Sequence, residues 1–238
     1  ALAASVVLST VDRYTFAPAA GSGVTQSATL EVGDDTQAFL VTGATIDRFE
    51  FGWSLGGPAT LKLHWLAFKA VNGSFTGALA PEGQEIINGS VAKAYIDSST
   101  VGSTLVTGPA DFTFSIDNKI RQFWAPNGDT VPVDFYHYEP RSVHAESTIR
   151  HVADTENAAF KAQTLRKIRN TIEGSEIAGS TGPVNRKITW DWYGYWSEAP
   201  FSDADGLNAQ RFSGDSVYNA TATHDWTCVV DCDDSAIA

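Results

Sequence analysis

The chain contains no methionine, so its first residue is not a retained initiator. The opening "ALAASVVLST" is too short and polar for the apolar core of a signal peptide. It reads as a mature start left by removal of a leader, pro-segment or polyprotein neighbour, or as a truncation. No apolar run reaches the roughly eighteen residues of a membrane-spanning helix, so no membrane span is expected. Positive charge is scarce: 16 Lys and Arg stand against 28 Asp and Glu, a formal charge of −12. Such a chain repels nucleic acid and anionic membranes except at a local basic patch. No nucleophile elbow, Gly-rich phosphate loop or zinc-finger spacing occurs, and no strand–helix–strand alternation announces a parallel sheet. These absences argue against an enzyme.

What is present is β-patterning. Hydrophobic residues make up 43% of the chain and charged residues 18%, the composition of an ordered globular protein. "DRFEFGWSL" (47–55) alternates Phe49, Phe51 and Trp53 with polar neighbours, and "TLKLHWLAF" (60–68) begins the same way with Leu61 and Leu63. "ATLEV" (28–32) and "AFLV" (38–41) flank the turn Gly33-Asp34-Asp35. Further strands are read at 91–96, 103–107, 111–117, 120–125 and 130–138. The inward set is Phe49, Phe51, Trp53, Leu61, Leu63, Phe112, Phe114, Val133 and Phe135. The fold class is mainly β: an antiparallel β-sandwich or jelly roll with one long helix and a C-terminal extension.

The organisation follows from this pattern. Residues 1–26 form an N-terminal arm, 27–140 the sandwich and 141–175 a helical segment. Residues 176–238 form an extension that packs on the sandwich or on a neighbouring subunit. The helix is expected at 154–173, with Asp154 as N-cap, Leu165, Ile168 and Ile172 buried, and Gly174 just past the end. Lys161, Arg166, Lys167 and Arg169 give it a basic patch, a candidate contact for RNA phosphates or an acidic subunit. After a Gly/Ser-rich linker comes "ITWDWYGYW". Trp190, Trp192, Tyr193, Tyr195 and Trp196 are candidate subunit-interface residues, with a sugar-stacking platform as the alternative.

Motifs that could carry chemistry are few. "GDSV" (214–217), with His224 and Asp225, has the residue types of a nucleophilic serine site, but a polar turn explains it better. "DADG" (203–206) resembles part of a calcium loop; Phe201 and Phe212 fall where an EF-hand needs acids, leaving a loop-bound calcium as the only cofactor in view. His224, Cys228 and Cys232 fall at steps of four, as metal ligands on a helix would, yet "TCVVDC" is β-like. Cys228 and Cys232 are a candidate local disulfide or two thiols.

The order of elements resembles the jelly-roll coat proteins of small non-enveloped RNA viruses, the nodavirus-like ones in particular. The resemblance lies in "ATLEVGDDTQAFLV", in "FYHYEPR" at the end of the last strand, and in the helical sequence after it, over residues 27–175. The basic N-terminal arm of those coats has no counterpart here. The resemblance implies a structural subunit of a virion that assembles with copies of itself or other capsid subunits into a closed particle. The alternative from another class is a secreted carbohydrate-binding module.

Overall fold

In the computed structural model of the chain the described residues are 6–8, 11–18, 27–34, 36–77, 86–126, 128–151, 153–177, 183–204 and 206–233. Among them the strands in chain order are β1 (Val6–Leu8), β2 (Val11–Phe16), β3 (Ala28–Gly33), β4 (Ala38–Ser54), β5 (Thr60–Leu66) and β6 (Lys69–Gly73). Next come β7 (Lys93–Asp97), β8 (Pro109–Asp117), β9 (Ile120–Phe123), β10 (Asp134–His137) and β11 (Ser142–Arg150). Helix α1 (Thr155–Lys161) precedes β12 (Arg166–Glu176), β13 (Asn185–Glu198), β14 (Phe201–Ala204), β15 (Leu207–Ser216) and β16 (Trp226–Cys232).

Two antiparallel layers face each other. One runs β7, β12, β13, β16, β2, β1; the other runs β5, β4, β8, β11, β15, with β14 beyond it. β13 belongs to both. Its first part pairs with β12 and β16, and from Gly194 onward it pairs with β15. A Cβ on Gly194 would lie 2.3 Å from the Trp192 ring, so glycine is required where the strand passes between layers. Aromatic rings fill the interior. Trp190 of β13 lies 4.7 Å from Phe114 of β8, and 5.5 Å from both Phe49 and Phe51 of β4, between ring centroids. The mainly β class, and one α-helix among the described residues, agree with the sequence reading, and the fold is a β-sandwich.

The inward set splits by position. Phe51, Trp53, Phe112, Phe114 and Phe135 are buried, and Phe49 packs half-buried against the core. Leu61 and Leu63 are 58% and 44% exposed on β5, an edge strand paired only with β4. Val133 is 49% exposed beside β10, in a separate two-stranded ribbon.

The long helix over 154–173 is corrected. α1 stops at Lys161, Gln163 takes a positive φ of 50°, and 166–176 is a strand rather than the end of a helical segment. Ile168 and Ile172 are four residues apart, an even step that keeps them on one face of a strand as well as of a helix. β7 and β13 supply hydrogen-bonded neighbours on both edges of this stretch, and β-branched Ile168, Thr171 and Ile172 suit that setting. Leu165 falls between α1 and β12 and is half-buried. Residues 176–238, read as an extension packing on the sandwich or on a neighbouring subunit, supply strands of the sandwich itself. β13 and β16 are interior strands, and Trp190, Trp192 and Trp196 are 7%, 1% and 1% exposed within one chain. They complete the core together with Trp226 of β16: Trp190 covers Phe49, Phe51 and Phe114, and Trp226 also meets Phe49 and Phe114.

Trp190→Ala is therefore expected to cost about 3–5 kcal/mol of folding stability, the range for a large aromatic removed from a core. Chemical denaturation of the two chains measures it; a loss under about 1 kcal/mol would mean that Trp190 does not hold the layers together.

Candidate functional site

Among the described residues, a set of exposed apolar side chains lies on a projection built from three pieces. The first is a leaf made of β3, the first part of β4, and β6. Asp34 shapes its turn: its Oδ1 accepts from the backbone N–H groups of Gln37 (2.9 Å) and Thr36 (2.8 Å), which hold the carboxyl below its ordinary pKa. Glu31 is lowered likewise, by the hydroxyl and then the backbone N–H of Thr76. Register puts Leu30, Val32, Phe39 and Val41 on one face and Leu40 and Val71 on the other. Neither face is closed off by another described strand: β3 and β6 are mostly exposed, with Val32 at 52% and Phe39 at 36%.

The second piece is the ribbon β9–β10, and the third is the connection 66–69 on which it sits. Phe135 stacks on Phe68 with centroids 4.4 Å apart and planes 9° apart, while Gln122 Nε2 donates to Ala67 O at 2.7 Å. Phe68 also lies against Gly43, which has φ of 62° where the leaf leaves the body; a Cβ there would fall 2.2 Å from the ring. One phenylalanine thus joins leaf, connection and ribbon. The outer face of the ribbon carries Phe123 edge-on to Tyr136 at 6.4 Å, and the Arg121 guanidinium 4.0 Å over the Tyr138 ring. Phe123, Trp124, Val133, Tyr136 and Tyr138 are all 36–55% exposed. Phe123 and Tyr136 are near perpendicular, so they do not form the flat platform that stacks on sugars.

The residues singled out from sequence fall elsewhere. Trp190, Trp192 and Trp196 face inward, and Tyr193 is 5% exposed, so this strand gives a neighbour little ring area; Tyr195 is half-buried. Burial raises the Tyr193 phenol pKa. The basic patch is broken up because β12 alternates. Arg166 points to one side and is buried against Glu156, while Lys167 and Arg169 point to the other. Lys167 donates to Ser99 O, and Arg169 makes a two-pronged pair with Asp191 at 2.7 and 2.6 Å, which raises the guanidinium pKa. Lys161 is exposed on α1, apart from these three.

The local disulfide is also corrected. Cys228 and Cys232 are four residues apart on extended β16, a span of about 13 Å, beyond the reach of a disulfide. Burial pushes the Cys228 thiol pKa up to about 12. Ser216 Oγ donates to Asp225 Oδ2 at 3.1 Å, and the His224 ring meets Tyr193 edge-on, so Ser216, His224 and Asp225 do not line up as nucleophile, base and orienting acid. Burial lowers the His224 pKa. Asp203 accepts from Gly206 N–H at 2.9 Å, a turn contact; Asp205 lies outside the described residues. Among the described residues, no cluster of three or more His, Cys, Asp or Glu side chains has metal-binding geometry, and no helix is long and apolar enough to cross a membrane.

Comparison with protein-family models finds no match, and comparison with curated proteins finds none either.

Gly43→Ala tests the joint. It is expected to cost about 1–3 kcal/mol, from the left-handed backbone and the displaced Phe68 ring. Hydrogen exchange should show faster exchange in β3, β6, β9 and β10, with β8, β12 and β13 unchanged; unchanged exchange in the leaf and ribbon would show that Phe68 does not tie them down.

Proposed function

We propose that this chain is a structural assembly subunit whose projection is covered by a second copy of the chain, and that the assembly is a viral shell. The observation that carries the reading is the uncovered leaf and ribbon, in a chain whose sandwich core is otherwise closed. A single-layer sheet with apolar residues on both faces gains little from folding alone. Val32, Phe39, Phe75, Phe123, Trp124, Val133, Tyr136 and Tyr138 are each between 36% and 55% exposed. At up to ~150–250 Å² for a large side chain, they offer on the order of 700 Å², close to what one partner contributes to a specific interface. An arm that docks on a different surface of the next copy makes a head-to-tail contact, the kind that repeats into a ring, shell or filament. The resemblance of "ATLEVGDDTQAFLV" to jelly-roll coat proteins is what suggests a shell and a place in the virion; the strands after β10 are not part of that resemblance. The acidic charge and the paired state of Arg166, Lys167 and Arg169 give RNA little to bind on β12. A secreted carbohydrate-binding module has less support, since Phe123 and Tyr136 are near perpendicular rather than coplanar.

Sedimentation velocity of the parent and of a Phe123→Ser/Trp124→Ser/Tyr136→Ser variant tests this. The parent is expected to form large species as concentration rises, while the variant stays a folded monomer with a similar melting temperature. A parent that remains monomeric, or a variant that assembles equally well, would contradict the reading; polysaccharide binding lost only in the variant would favour the carbohydrate alternative.

A further inference from the structure

We infer that ionic strength gates this association: copies repel one another at low salt and dock through the projection once that repulsion is screened. The inference rests on reading the projection as a contact between copies. Each copy carries a formal charge of −12, with 28 acids against 16 bases. To offset that repulsion, the contact would need charged groups free to pair across it. Most of those on the projection are already engaged within the chain, the exposed Lys69 of β6 being an exception. Glu31 is held by Thr76, Asp34 by its own turn, and Asp134 by the backbone N–H of Phe135 at 2.7 Å. Lys119 pairs with Asp117 at 2.9 Å, and Arg121 lies on the Tyr138 ring. Apart from Lys69, the groups left to make the contact are mainly rings and aliphatic side chains, whose burial salt does not weaken.

The sign of the salt effect follows. A folded chain of this length is on the order of 45 Å across. The screening length is ~30 Å at 0.01 M salt and ~8 Å at 0.15 M. At low salt, therefore, two docking bodies repel through most of their charge, while at higher salt only charges near the contact are felt. An interface held by ion pairs would respond in the opposite direction.

The test is sedimentation velocity of the full chain in 10 mM and 300 mM NaCl, with MgCl2 at matched ionic strength as a third condition. The apparent dissociation constant is expected to fall by on the order of tenfold or more as NaCl rises. MgCl2 should act no more strongly than NaCl of equal ionic strength. A variant carrying Glu176→Gln, Glu198→Gln and Asp215→Asn, three exposed acids outside the projection, changes the formal charge from −12 to −9. It should reach the same degree of assembly at lower salt. Association that weakens with salt or ignores it, or a magnesium effect well beyond ionic strength, would overturn the gating and leave the assembly reading standing. A parent monomeric at every salt and concentration would overturn both.

Discussion

The contact on which the rest of the structure depends is the one Trp190 makes between the two layers. Its ring meets Phe114 at 4.7 Å, with Phe49, Phe51 and Trp226 around it. Stacked and tilted aromatic pairs gain energy beyond their buried area, and here one ring is shared among four partners. The covalent course of β13 reinforces the contact, because the strand that places Trp190 in one layer goes on to pair in the other. At that crossing Trp196 packs on Trp192 and on Phe212 of β15. The core is therefore completed within one chain.

Closing the core this way sets the character of the outer surfaces. The outside of the β13 layer carries charges in cross-strand rows, such as Glu173, Lys187, Asp231 and Arg13 in successive strands. Asp231, 1% exposed, is held by Arg13 in a two-pronged contact at 2.5 and 3.0 Å, with Lys187 3.7 Å away. Such rows alternate in sign and hold the N-terminal strands on the sheet edge without forming a free basic surface. The rings of the leaf and ribbon differ from this: they are apolar and uncovered, and they lie outside the closed core.

Much of the sandwich was legible in the sequence, because the alternation at 47–55 and 111–117 is unambiguous and both stretches lie in interior strands whose inner faces are covered. The helix was overextended because Ile168 and Ile172 satisfy two periods at once, and only the neighbouring strands decide between them. "WDWYGYW" shows large rings but not what covers them; Trp190 is covered by Phe49, Phe51 and Phe114, more than seventy residues earlier in the chain, and Trp196 by Phe212. The leaf alternates just as a covered strand does, so its bareness leaves no local mark. The ribbon did carry a signal. Phe123-Trp124 and Tyr136-His137-Tyr138 put rings on both sides of a two-stranded element, more than a single core could cover.

The central claim is that the leaf and ribbon, bare in one chain, are what a second copy covers. Hydrogen–deuterium exchange of the chain, dilute and then concentrated into its assembled state, tests it most directly. The account predicts that the exposed edges of β3, β6, β9 and β10 exchange quickly in the monomer and become protected on assembly, while β8, β12 and β13 are slow in both. Protection that appears elsewhere on the surface, with the leaf and ribbon still exchanging freely, would contradict it.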